Sequence, residues 1–431
     1  MIKTLINAWK VPDLRKKLLF TGLMLAVFQL GCAISVPGIS SDAIAQLMGI
    51  GAGATEAGQA SIFNFLNIIG GGALENASIF AMSITPYVTA SIIIQLLTVA
   101  IPALERLAKE GQEGRKIIEK WTRYSTVILA FIQASGIYIG LVNSAAVDDP
   151  GFMSFATIVI SLTAGTALLM WIGEQISDKG VGNGISLIIF AGIVTRVPSM
   201  IQQFIIAIQS GTVSWLVGII VVVAVLAVFA LVVLMNDAER RIPVQYAKRV
   251  VGRKMYGGQS THIPFKVAMA GVIPIIFASS LMAFPSTIAQ LFGGAQEGGW
   301  VAKFLQFIGP TSWFYAVLYF VLIIFFTFFY TAMMYNPIEM SNNIKANGGF
   351  IPGIRPGRPT SEYISRVMNR VTVMGSIFIA FIAVLPLIAS GSNVSVGFSG
   401  TSLLILVGVA LETNRQMESQ LMMRHYKGFL E

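Results

Sequence analysis

The sequence predicts an all-α, polytopic membrane protein: ten transmembrane helices in two inverted five-helix halves, with a short extra half-helix. Three observations carry that prediction. Of 431 residues, 55% are hydrophobic and only 11% charged, with a mean hydropathy of +0.75, a balance foreign to soluble domains of this length. Ten apolar runs, centred near Ala26, Ala90, Ala130, Thr163, Ile193, Ala224, Ile276, Ile323, Phe378 and Val407, are long enough to cross a hydrocarbon core that takes about 20 helical residues. Alternating segments of the barrel type are absent, and helices and closed barrels are the only backbones that cross lipid with every polar group satisfied.

The chain begins MIKTLINAWKVPDLRKK, where Lys3, Lys10, Arg15, Lys16 and Lys17 accompany Ile2, Leu5, Ile6 and Trp9. That mixture predicts an interfacial amphipathic helix. The apolar run after Lys17 is longer than a signal-peptide core and many spans follow, so it reads as a first span and not as a cleaved leader. Cys32, the single cysteine, lies inside that span; it excludes an intrachain disulfide and reads as a small buried side chain.

Between the first two spans, SIFNFLNII (61 to 69) is apolar but nine residues long, about half the hydrocarbon thickness as a helix. Gly70, Gly71 and Gly72 then stop it and leave a joint. Such a piece either lies at the interface or re-enters the membrane inside a protein-lined cavity. Between spans four and five, GVGNGIS (180 to 186) lacks the G-x-G-x-x-G spacing of a dinucleotide site and follows no strand. Its glycines predict a tight turn and Asn183 a cap for span five. Span five ends near Gln209, and QSGTVSW leads into span six, giving an N-terminal half, 1–209, and a C-terminal half, 210–431. Five is odd, so the halves enter from opposite faces, an architecture that places a transport path at their interface.

Basic residues set the orientation. The amino terminus, the loops near 105–120, 236–266 and 336–370, and the tail after Glu412 hold nearly all lysines and arginines. The alternate loops carry Asp42, Glu56 and Glu75, then Asp148 and Asp149, then Glu297 and Lys303. The positive-inside rule therefore puts both termini in the cytoplasm, which needs an even number of spans. In the last long basic loop, GGFIPGIRPGRPT (348 to 360) sets Arg355 and Arg358 among prolines and glycines, predicting a stiff tip that is neither helix nor strand.

Chemistry is excluded more than suggested. The only histidines, His262 and His425, are far apart in cytoplasmic segments, which supports neither a zinc site nor a triad. Charges such as Arg123, Glu174 and Asp237 sit at span ends, and Arg196, before Pro198, is expected to snorkel outward. Ion-coupled transport loses ground accordingly. An uncoupled inverted-repeat solute transporter and a multi-span lipid-modifying enzyme stay open beside a channel.

Several stretches, in order and covering essentially the whole chain, resemble one family: SIFAMSITPYVTASIIIQLL (78 to 97), EGRKIIEKWTRY (113 to 124), GVGNGISLIIFAGIV (180 to 194), GGQSTHIPFKVAMAGVIPIIFASS (257 to 280), GGFIPGIRPG (348 to 357) and GTSLLILVGVALE (400 to 412). They resemble the SecY family, channel subunits of the bacterial Sec translocon. The resemblance implies a ten-helix clamshell in the cytoplasmic membrane that passes unfolded preproteins and releases hydrophobic segments into lipid. It implies no enzymatic activity of its own and no cofactor. It places a pore ring at Ile84, Val88, Ile185, Ile189, Ile276 and Ile405, where Val88 stands for the family's usual isoleucine. It makes Ser61, Ile62, Phe63, Asn64, Phe65, Leu66, Asn67, Ile68 and Ile69 a plug. It sets Thr89, Gln133, Ser279 and Ser280 along a lateral gate, where they are expected to hydrogen-bond across the seam. It gives the motor ATPase SecA, or phosphates of ribosomal RNA, a docking surface that includes Arg240, Arg241, Lys248, Arg249, Arg253, Lys254, Arg355 and Arg358. Further partners implied are SecE-like and SecG-like subunits and a YidC-like insertase.

Overall fold

The computed structural model describes residues 2–40, 70–143, 146–147, 149–211, 214–246, 249–251, 254–256, 260–291, 312–389 and 400–427. Each of the ten apolar runs lies on a helix. The amphipathic segment forms α1 (Ile2–Lys10), and Pro12 starts the first span, α2 (Pro12–Gly31); proline is tolerated there because the first N–H groups of a helix have no intrahelical acceptor. The second span, α3 (Thr85–Ala100), turns by 101° into α4 (Pro102–Lys109). Pro102 disfavours helix at Ile101 and supplies no donor, so the break falls where the sequence puts it. Next come α5 (Gln112–Asn143), α6 (Phe152–Lys179) and α7 (Gly184–Gln209). Asn183 caps α7 as expected, its Oδ1 accepting from the N–H groups of Ile185 (3.1 Å) and Ser186 (3.3 Å).

The second five spans are α8 (Trp215–Asp237), α9 (Ile273–Leu291), α10 (Trp313–Met334), then, after the short α11 (Pro337–Ala346), α12 (Arg358–Ala389) and α13 (Gly400–Lys427). Among the described residues six helices are individually long and apolar enough to cross a bilayer, and the bent α3–α4 pair makes a seventh. The helices α2 and α13 run on into charged ends, which dilute their apolar character. Thr4 donates to Glu418 (2.9 Å) and Lys17 to Gln420 (3.5 Å), so the first and last helices meet.

In the first half α3 packs on α5, α5 on α6 and α6 on α7; in the second α9 packs on α10, α10 on α12 and α12 on α13. The spans of the two halves meet along two seams, α9 against α3 and α5, and α13 against α7, and α1 also packs on α13. The helix α8 is apolar on every side, and only Gly218 and Val232 are buried in it, as suits a helix whose solvent is hydrocarbon.

The loop after α8 is not irregular. Its strand β1 (Glu239–Tyr246) is followed by a small hairpin of β2 (Arg249–Val251) and β3 (Lys254–Tyr256), and then by β4 (Ser260–Lys266). The strands β1 and β4 pair antiparallel from Glu239↔Lys266 to Gln245↔Ser260. The other edge of β1 takes β5 (Gly349–Phe350), through Gln245↔Phe350 and Tyr246↔Gly349. Ile242, Val244 and Phe265 pack with Ile344, Ile351 and Ile364 in a small core. The sheet thus fuses the two long basic loops into one body.

Candidate functional site

Where the seams converge, one apolar cluster runs through both halves, from Ile84, Val88 and Ile189 to Ile276 and Ile405. At its middle lies a cavity of about 10 Å³ walled by Ile84, Thr85, Val88, Ile189, Ile276, Ser279, Ser280 and Ile405. That is room for one water molecule at most. The five ring residues on this wall are each no more than 8% exposed. Ile84 precedes α3, and its carbonyl accepts from the Val88 N–H (3.1 Å), so the two stand one turn apart on one face. Ile185 is placed differently. It lies in the first turn of α7 as that helix passes α6, its Cγ1 3.3 Å from where a side chain on Gly173 would begin, and it is not on the cavity wall.

Thr89 and Ser279 do not donate across the seam, where bridging hydrogen bonds were expected. Thr89 donates to the Thr85 carbonyl (3.0 Å) and Ser279 to the Ile276 carbonyl (2.9 Å), each within its own helix. Back-bonding satisfies a buried hydroxyl without a partner helix. Gln133 and Ser280 are also buried, and Ser279 and Ser280 are on the central cavity wall. The seam is shut by apolar packing of α9 on α3 and α5. The expected plug, 61–69, lies outside the described residues.

Arg196, expected to reach outward, pairs through its guanidinium with Glu75 on the segment leading into α3, with only 15% of its side chain exposed; the carboxylate compensates a cation that would otherwise be enclosed unpaired. The other charges noted at span ends are paired too, Arg123 with Glu174 (2.7 Å) and Arg415 with Asp237 (2.7 Å).

On the sheet, Arg240 and Arg241 are exposed, and Arg241 pairs with Glu239 (2.6 Å). Arg249 and Lys254 fall on β2 and β3; Lys248 and Arg253 lie outside the described residues. Lys266, at the end of β4, has its pKa lowered by burial and by neighbouring Arg415. The proline-rich tip is shorter than predicted, because Gly349 and Phe350 join the sheet and Arg358 opens α12. Between them Gly353 and Gly357 take the left-handed φ of +80° and +105°, which glycine adopts without steric cost. Thr360 donates to the Arg355 carbonyl (2.9 Å) and Ser341 to the Gly357 carbonyl (2.8 Å), anchoring the tip to α12 and α11. Arg355 is exposed, and among the described residues no carboxylate pairs with it. Arg358 is held by Glu362 (3.0 Å).

No group of three or more histidine, cysteine or acidic side chains is placed to hold a metal among the described residues. A wider, open recess of about 300 Å³ at the ends of α5 and α6 is lined by Tyr138, Ile139, Val142, Pro150, Gly151, Phe152 and Phe155. Its lining carries one hydroxyl, that of Tyr138, which donates to the Gly151 carbonyl (3.4 Å), and no carboxylate, amine, imidazole or thiol.

A family model described as SecY matches residues 78–414. The chain belongs to the SecY family. The protein translocase subunit SecY of Streptomyces galbus is 45% identical, with all of both chains covered. A solved structure described as that of a protein conducting channel superposes with a TM-score of 0.66 at 21% identity, covering 96% of each chain. Sec61 in the canine ribosome-channel complex from the endoplasmic reticulum gives 0.62 at 19%, again over 96% of each. Those two likenesses establish a shared fold.

Proposed function

We propose that this chain is the channel-forming subunit of a protein translocase, conducting unfolded preproteins across the bacterial cytoplasmic membrane and releasing hydrophobic segments sideways into lipid. The observation that carries the reading is the apolar constriction of Ile84, Val88, Ile189, Ile276 and Ile405 between two helical halves. A ring of this kind dewets when empty and so blocks ions, yet it offers no group that selects among substrates. The seam of α9 with α3 and α5 is the exit to lipid, with Thr89, Gln133, Ser279 and Ser280 along it, and 61–69 is the plug.

The chain is a conduit and not a catalyst. Energy comes from SecA or a translating ribosome docked on the fused sheet and tip through Arg240, Arg241, Lys248, Arg249, Arg355 and Arg358, whose guanidinium and ammonium groups suit carboxylates and RNA phosphates alike. A relative in a ribosome-bound complex supports the second of these. SecE-like and SecG-like subunits and a YidC-like insertase complete the assembly, with both termini cytoplasmic. The test is reconstitution with those partners into vesicles: a preprotein should become protease-protected only with ATP and the motor. Saturable uptake of a small solute by the chain, with no protected preprotein, would overturn the proposal.

A further inference from the structure

The stretch that enters α3, residues 70–84, is fastened on two sides. On one side Gly71 has φ +67°, and a Cβ there would stand 2.9 Å from the Gly192 Cα of α7. The two backbones touch, and no larger residue fits without displacing one of them. One helical turn further along α7, Arg196 reaches back over the same stretch. Its Nε lies 3.8 Å from where a side chain on Gly72 would begin, and its Nη2 pairs with Glu75 Oε2. On the other side the end of α2 takes hold: the Cys32 thiol donates to the Gly70 carbonyl (3.7 Å), Asn76 Nδ2 donates to the Cys32 carbonyl (3.4 Å), and the Val36 N–H donates to the Ala77 carbonyl (2.8 Å). The last residue of the fastened stretch is Ile84, on the wall of the constriction.

Position and burial set this ion pair apart. Arg196 follows Ile189 by seven residues on α7, so it sits about 10 Å along the axis from the ring. Its side chain is 15% exposed and that of Glu75 34%, and among the described ion pairs no other cation is so enclosed. An uncompensated guanidinium at such a depth is unfavourable. Any movement that carries Glu75 away from α7 strands Arg196 and is opposed, whereas the arrangement with Ile84 on the wall is not.

We propose that Arg196 is a positioning residue of the closed channel: through Glu75 it holds the 70–84 stretch, and with it Ile84, against α7, and the pair parts when the pore widens. The inference rests on the reading of the ring as the ion barrier, and the experiment separates the two. The channel assembled with its partner subunits is placed in planar bilayers and its resting ion conductance measured for R196Q, E75Q, R196K and the exchanged pair E75R/R196E, with Ile189→Ala alongside. R196Q and E75Q are each expected to raise conductance about tenfold, the population change that follows when the closed state alone loses ~1.4 kcal/mol. R196K should leak less than R196Q, and the exchanged pair should return towards wild type. A purely structural role would lower yield and Tm in the single variants while leaving conductance per assembled channel unchanged. Tight R196Q channels at matched assembly overturn the proposal; if Ile189→Ala leaks beside them, the ring reading stands and the latch alone is lost. An exchanged pair that assembles yet leaks as much as its single variants overturns it as well.

Discussion

Replacing Ile189 with alanine removes three side-chain carbons from the wall of a cavity that now measures about 10 Å³. Each carbon group is comparable in bulk to a water molecule, whose share of the liquid is ~30 Å³, so space for roughly three more waters opens on that wall. The substitution also forfeits about 2–5 kcal/mol of packing, the usual cost of an isoleucine-to-alanine change in a tight core. Stability loss alone must therefore be separated from wetting. Ile172 on α6 supplies the control: it is fully buried in the same apolar cluster but is not on the cavity wall. Ile172→Ala should cost a similar amount of stability, read as a lower Tm of the detergent-solubilised complex, and leave single-channel records silent. Ile189→Ala should show a persistent ionic leak in planar bilayers, on the order of tenfold above wild type, because a continuous file of water replaces a dewetted gap. Equal leaks from both variants, or silence from Ile189→Ala, would refute the argument that this ring is the ion barrier.

Arg355→Glu should leave assembly and topology intact, since orientation is over-determined by the other basic loops, yet severely reduce motor-driven translocation into inverted vesicles; Arg355→Lys should be intermediate, because the charge stays and the planar fork goes. Arg358→Glu should do less, its side chain being already engaged by Glu362; equal defects at the two positions would count against the tip as the contact. Thr89→Val and Ser279→Ala should each change channel stability and leak little, below the ~0.6 kcal/mol typical of an interhelical membrane hydrogen bond, because their hydroxyls bond to their own helices; a marked leak would show that they bridge the seam. Asn183→Ala should lower thermal stability by about 1 kcal/mol through loss of the α7 cap, with Asn183→Ser or Asp restoring most of it.

What the sequence revealed and what it hid divide along a physical line. The apolar helices, the α7 cap at Asn183 and the left-handed glycines of the tip are local: each follows from the chemistry of a few neighbouring residues, and each stands in the structure. The fate of Arg196 was not local, because its partner Glu75 lies 121 residues away in the chain. Nothing near Arg196 announces that carboxylate, so the pair is invisible to a local reading of the sequence. The placement of Ile185 beside Gly173 and off the cavity wall likewise comes from helix packing and not from its neighbours in sequence. The sheet in the basic loops was legible and overlooked. In ERRIPVQY, Ile242 and Val244 alternate with outward residues, the period of a half-buried strand. Its pairing with Gly349 and Phe350, from the far loop, was not.

That pairing has a mechanical consequence. The tip bearing Arg355 is stitched through β5 to β1 and thence to β4, and β4 gives way after the short turn 267–272 to α9, the helix that closes the seam against α3 and α5. On its other flank the tip runs straight into α12. A load placed on Arg355 would therefore be shared between two helices, reaching α9 through the sheet and the 267–272 turn and α12 directly.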